Sequence, residues 1–139
     1  MNIVLITPTP PDINAFGART ISSVLKKAGF STKIIFLPGG IEYLRFDASY
    51  IYQYSQKTLE QITELCKGSD LIGFSFMGQY FDRAAQITEY LKKQLDTPMI
   101  WGGTHPTYRP EQCLNYCDII CLGEGEYAVV ELIEKMAKG

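Results

Sequence analysis

The stretch Trp101-Gly102-Gly103-Thr104-His105-Pro106-Thr107, followed about twenty residues on by Gly123-Glu124-Gly125-Glu126, decides how this chain folds. Each follows a short apolar run with the composition of a buried strand: Thr97-Pro-Met-Ile-Trp101 before the first, Asp118-Ile-Ile-Cys-Leu122 before the second. Runs that are apolar throughout, rather than alternating, mark strands covered on both faces, as in parallel sheets. In an open α/β sheet the ligand crevice lies outside the carboxyl ends of the strands. Two glycine-bearing turns at successive strand ends therefore put exposed backbone where a ligand would sit.

Outward from these turns the chain reads as strand then helix, repeated five times, with no linker, low-complexity tract or internal repeat. Asn2 to Thr7 is a β-branched apolar run bounded by Pro8 and Pro10. Gly17 to Ala28 carries Ile21, Val24, Leu25 and Ala28 at helical spacing, with Gly29 as the stop. Thr32 to Phe36 is a second strand. Ile41 to Tyr54, crowded with Tyr43, Tyr50, Tyr52 and Tyr54, has no clear period. Thr58 to Cys66 is helical, Asp70 to Ser75 is the third strand, and Phe81 to Leu95 is helical again. After the strands ending at Trp101 and Leu122, a last helix runs from Glu126 to Met136. Strands alternating with crossover helices demand a parallel sheet with helices on both faces. The expected fold is α/β, Rossmann-like and flavodoxin-like, with five parallel strands in the order 2-1-3-4-5 and a switch point between strands one and three.

At 139 residues the chain is expected to form one domain, residues 1–139, burying roughly two-thirds of its unfolded surface. A net charge of −2 and scattered Lys and Arg give no electrostatic reason to expect nucleic acid or an anionic membrane as partner. No apolar run approaches the roughly twenty residues that span a bilayer. The amino terminus lacks the charged start of a signal peptide, so the expected location is cytoplasmic. Cys113, Cys117 and Cys121 have C-x3-C-x3-C spacing, and Cys121 falls inside a strand-like run. A strand interior does not readily share a cluster with a helix, so the cysteines read as buried thiols.

Several residues could carry a site. Thr7-Pro8-Thr-Pro-Pro-Asp12-Ile-Asn14-Ala-Phe-Gly17 follows the first strand, and there Asp12 and Asn14 also serve as turn and capping residues. Ser75-Phe76-Met77 ends the third strand beside the switch point. The Gly102-Gly103 pair lets backbone approach a ligand without a Cβ in the way, and equally serves a tight turn. Glu124 and Glu126 complement the positive end of the last helix, which is a sufficient structural reason for them. His105 is the only histidine, with no partner ligand in sight for a metal.

Taken together, Gly102-Gly-Thr-His-Pro-Thr107, Pro110-Glu111 and Asp118-x4-Gly123-Glu-Gly-Glu126 resemble the amino-terminal cobalamin-binding domain of cobalamin-dependent radical S-adenosylmethionine enzymes. The resemblance covers nearly the whole chain, strongest from Asp70 onward. It implies cobalamin as cofactor, bound by Thr7, Pro8, Asp12, Asn14 and Gly17 in the first loop. It also implies contacts from Ser75, Phe76 and Met77, the serine facing the buried nucleotide tail, with Gly102, Gly103, Thr104 and His105 lining the pocket. Gly123 and Glu124 would form its edge. Asp12-Ile-Asn14-Ala-Phe-Gly17 keeps the spacing of the D-x-H-x-x-G loop in which a histidine ligates cobalt. Asparagine stands at the histidine position, and an amide is a poor donor to cobalt. The corrinoid is therefore expected with no protein nitrogen on its lower face, His105 being a hydrogen-bonding pocket residue.

The family's barrel, its [4Fe-4S] cluster and its S-adenosylmethionine site have no counterpart in these residues. The expectation is a piece of a longer protein that presents cofactor and catalyses nothing alone. Its expected partners are a corrinoid and that carboxy-terminal barrel. A flavodoxin-like carrier of flavin mononucleotide is the first rival, yet Thr7-Pro-Thr-Pro-Pro offers few amides for a phosphate cradle, since proline has none. A phosphoacceptor receiver needs an aspartate where Ser75 or Phe76 stands and a lysine after strand five, and lacks both. A structural domain using residues 41–54 as a docking surface is the third alternative.

Overall fold

The computed structural model describes residues 1–8, 15–37, 41–44 and 50–139, and at 41–44 and 50–52 it describes backbone only. The first unit is β1 (Asn2–Thr7), α1 (Phe16–Lys27) and β2 (Ser31–Phe36). A hairpin, β3 (Ile41–Leu44) and β4 (Tyr50–Gln53), then precedes α2 (Gln56–Cys66). β5 (Leu71–Ser75), a 3-10 turn at Gly78–Tyr80, α3 (Phe81–Gln94) and β6 (Met99–Gly102) follow. Two short helices, α4 (Thr104–Tyr108) and α5 (Pro110–Cys113), lead to β7 (Ile119–Ile120) and α6 (Glu126–Lys138).

Five strands pair in the order β2-β1-β5-β6-β7, every pairing parallel, which is the expected 2-1-3-4-5 order. The switch point lies between β1 and β5. Three local differences from the sequence reading matter. The hairpin interrupts the strand–helix alternation, pairing Ile41 with Gln53 and Leu44 with Tyr50. The Gly-Gly-Thr-His-Pro-Thr segment is not one open turn, because Gly102 completes β6 and Thr104 already begins α4. The last strand is two residues long, so Cys121 lies beyond it and is only half-buried, rather than inside a strand. β7 pairs only Ile119 and Ile120 with Ile100 and Trp101, and Cys121 just beyond it still donates its amide to the Trp101 carbonyl at 2.8 Å.

Local chemistry sets the helix ends. Ser55 caps α2 by accepting the Thr58 amide at 3.2 Å. α1 stops at Gly29, whose φ of +92° lets the Phe30 amide reach back to the Leu25 carbonyl at 3.0 Å.

Strand alternation divides the core into two unequal halves. Val4, Ile6, Ile72, Phe74, Phe76 and Trp101 face α2 and α3 in the larger half. There Trp101 is fully buried and donates its indole N–H to Thr88 Oγ1 at 3.0 Å. Edge-on contacts to Phe76 (5.0 Å between centroids) and Phe81 (6.0 Å) and a stack on Tyr116 (5.7 Å) surround it. Each such pair contributes about 0.5–1.5 kcal/mol beyond area burial. The other half joins Ile3, Leu5, Leu71 and Ile100 to Leu25 of α1 and to Val129 and Ile133 of α6. This second half is incompletely filled, and the gap is the candidate site.

Candidate functional site at the carboxyl edge of the sheet

A cavity of about 170 Å³ lies between the sheet, α1 and α6. It exists because of which residues point that way. On β5 the inward series is Leu71, Gly73, Ser75, and on β6 it is Ile100, Gly102, so side chains shrink toward the strand ends. The opposite face of the same strands carries Ile72, Phe74, Phe76, Met99 and Trp101. From Leu71 to Ser75 the channel runs roughly 13 Å at about 3.3 Å per residue.

The deep walls are Ile3, Leu5, Ile21, Leu71, Ile100 and Val129. The mouth is formed by Gly17 and Ser75, by Gly102 and Gly103, and by Cys121 and the Gly123–Glu126 segment. The glycines there are not equivalent. A Cβ on Gly17 would sit 3.0 Å from Ser75 Oγ, and one on Gly125 would sit 3.1 Å from Cys121 Sγ and 3.4 Å from Ile21 Cδ1. These glycines keep the channel open. A Cβ on Gly102 would meet only ordinary contacts, the nearest being Cys121 Cβ at 3.5 Å. Gly103 differs: its φ is +102°, and a Cβ would fall 2.7 Å from the Phe76 carbonyl oxygen and 2.9 Å from the Phe76 nitrogen. Backbone cannot step aside, so Gly103 is required by the turn itself.

Thr107 ties the two glycine turns together. Its hydroxyl donates to the Gly103 carbonyl at 2.8 Å and accepts the Gly123 amide at 3.0 Å. Asp118 holds β7 to the sheet in a similar way. Its Oδ2 accepts the Met99 amide at 2.9 Å and its Oδ1 meets Lys92 Nζ at 3.0 Å. Burial pushes the Asp118 carboxyl up, but the Met99 amide and the Lys92 ammonium outweigh it and hold the group below its ordinary value. Cys121 is raised by burial and then by the Glu126 carboxylate, so the thiol at the mouth stays protonated.

Of the residues singled out from sequence, Gly17, Ser75, Gly102, Gly103, Gly123 and Glu124 meet at this cavity. Asp12 and Asn14 lie outside the described residues. Thr7 and Pro8 are buried at the end of β1, Thr7 donating to the Ile35 carbonyl at 3.4 Å. The Phe76 side chain turns to the aromatic half of the core, while Met77 is exposed beyond it. Thr104 is exposed on α4. His105 packs its ring on Phe76 and Phe81, at 6.1 and 5.0 Å, with Nε2 3.1 Å from Gln112 Oε1, and does not line the cavity. Sequence reading missed Gly73, Gly125, Cys121 and the apolar walls as site residues. The period-2 series Leu71-Gly73-Ser75 was the signal for the first of these.

Phe16, Met77, Tyr108, Leu122 and Tyr127 are large apolar side chains exposed to solvent. Among the described residues no three His, Cys, Asp or Glu side chains are grouped to hold a metal ion. No helix among them is long and apolar enough to cross a membrane.

Compared with known families, residues 2–133 match the B12 binding domain. The chain belongs to that family. No curated protein matches this B12 binding domain at a significant level. Among solved structures, it is similar to the N-terminal domain of a response regulator/sensory box/GGDEF 3-domain protein from Carboxydothermus hydrogenoformans. There the TM-score is 0.59 at 14% identity, covering 97% of this chain and 92% of that one. A second neighbour is a fusion carrying the yeast Spc42 trimeric coiled coil, with TM-score 0.61, 16% identity and coverage of 97% and 77%. At such identities these likenesses establish the fold alone.

Proposed function

We propose that this B12 binding domain holds cobalamin with its nucleotide tail in the cavity between α1 and α6 and its corrin ring on the carboxyl edge of the sheet. The observation that carries this reading is a channel walled by apolar side chains, lined by Gly102 and kept open at its mouth by Gly17 and Gly125. Its fit to a flat aromatic base is a matter of size. A cavity of about 150 Å³ lined by Leu, Ile and Phe takes up benzene, and this one measures about 170 Å³. Ser75 stands at the mouth, where its hydroxyl can meet a ring nitrogen of the entering base. The corrin, too large for the channel, would lie over the strand ends at its mouth, beside Ser75, Gly102 and the Gly123–Glu126 segment.

When bound, cobalamin supplies a cobalt centre able to carry a methyl group. This chain's own residues bind and orient it. His105 is engaged by Phe76, Phe81 and Gln112, and Asn14 stands where related loops carry a histidine, so in this reading neither side chain would supply a nitrogen to cobalt. From the sequence resemblance we infer further that the parent protein carries a radical S-adenosylmethionine barrel with a [4Fe-4S] cluster. A C-x3-C-x2-C motif encoded downstream of Gly139 would identify it. In that reading the domain presents cofactor and does no chemistry alone, working in the cytoplasm.

Titration with hydroxocobalamin, followed by desalting and visible absorbance, tests the binding. Retained corrinoid is expected, and on reduction to Co(II) its electron paramagnetic resonance should show no axial nitrogen splitting. Retention of flavin mononucleotide instead, at protein concentrations of about 100 μM against the micromolar-range affinity expected of a preformed pocket, would refute it.

A further inference from the structure

Corrinoids differ in the base their tail carries, some ending in a benzimidazole and others in a purine. We infer that this cavity selects against a purine such as adenine, whose outer edge bears an amine. The inference rests on the reading of the cavity as the seat of the tail.

The argument is one of unmet hydrogen bonds. Among the described residues the cavity presents no polar side chain at the depth of Leu5, Leu71 and Ile100; Ser75, Cys121, Glu124 and Glu126 stand at the mouth. Backbone offers nothing either. The strands flooring the deep end pair in register, Ile3 with Leu71, Leu5 with Gly73 and Gly73 with Ile100, so their amides and carbonyls are spent on the ladder. α1 and α6 cover the channel with Ile21 and Val129. A benzimidazole entering this channel turns only C–H or methyl groups to the deep wall. Adenine turns its amine there and loses water without finding an acceptor. An apolar pocket discriminates by about tenfold to a hundredfold against a ligand that brings even one unmatched polar group, and adenine adds two ring nitrogens to its amine.

The experiment compares three corrinoids by equilibrium dialysis against the purified chain: cobalamin, its adenine-tailed analogue, and cobinamide, which lacks the tail. Cobalamin is expected to bind tightest, with the adenine form at least tenfold weaker and close to cobinamide. Gly125→Ala, which keeps an ordinary helical φ of −98° but narrows the channel against Cys121 and Ile21, should weaken cobalamin toward cobinamide and leave cobinamide within twofold. Equal binding of the cobalamin and adenine forms, with cobinamide weaker, overturns the selectivity while leaving the tail in the cavity. Cobinamide binding as tightly as cobalamin, or no corrinoid binding at all, overturns both.

Discussion

Two adjacent glycines should separate binding from folding. Gly102→Ala places a methyl at the cavity mouth, with nothing nearer than 3.5 Å and no positive φ to strain. Such a Gly→Ala exchange leaves stability unchanged or raises it by about 0.4–1 kcal/mol through the unfolded chain. Overpacking where the tail must lie costs about 1–3 kcal/mol of binding, or roughly 5- to 150-fold in Kd. Gly103→Ala does the reverse. At φ +102° its Cβ meets Phe76 backbone at 2.7 and 2.9 Å, so β5 and β6 must part or the turn must rebuild. Strain of this kind costs about 1–3 kcal/mol, which for a domain of this size lowers Tm by roughly 3–12 °C. Thermal melts monitored by circular dichroism, paired with hydroxocobalamin dialysis on each variant, give both quantities. If Gly102→Ala melts as early as Gly103→Ala, or binds corrinoid as well as the wild type, the reading of Gly102 as a cavity residue is refuted.

Two further outcomes follow from the titrating groups. Burial raises all four thiols, Cys66 to about 12 and Cys117 to about 11, so folded protein at pH 8 should react with a thiol reagent only slowly and first at half-buried Cys121. Corrinoid should slow that reaction, and early labelling of Cys66 would contradict the packing. Because the Asp118 carboxyl is depressed in the fold, its contribution is full above its unfolded value near 4 and is lost as pH falls through the lower folded value. Tm measured from pH 6 to pH 2.5 should therefore fall less steeply in Asp118→Asn than in the wild type, and parallel curves would sink that assignment.

The sheet was legible because its evidence is local: apolar runs of strand length, each closed by glycine or proline, with helical spacing between them. Residues 41–54 were not, since Tyr-rich segments fit a strand or a helix face equally well and only the pairing of Ile41 with Gln53 resolves them. Of the site, the glycine turns could be read from sequence, for glycine at a strand end has few uses. The channel behind them could not be measured there, because it depends on which face Gly73 and Gly102 share and on α1 and α6 closing over them. His105 drew notice as the sole histidine, yet its place is fixed by stacking on Phe76 and Phe81, contacts that no spacing rule encodes. Thr107 looked like part of a turn, and only the fold reveals that one hydroxyl clasps both.

The two halves of the core also differ in how firmly they are held. Unfilled volume forgoes contact energy, so a space of about 170 Å³ leaves the side of α1 and α6 less tightly held than the half around Trp101. Amide hydrogen exchange is therefore expected to be faster in these two helices than in the half around Trp101. A guest that fills the gap stiffens α1 and α6 together. Their amino-terminal turns carry Phe16 and Tyr127 out into solvent, 81% and 91% exposed, so occupancy deep inside would reach the surface as rigidity at these two side chains.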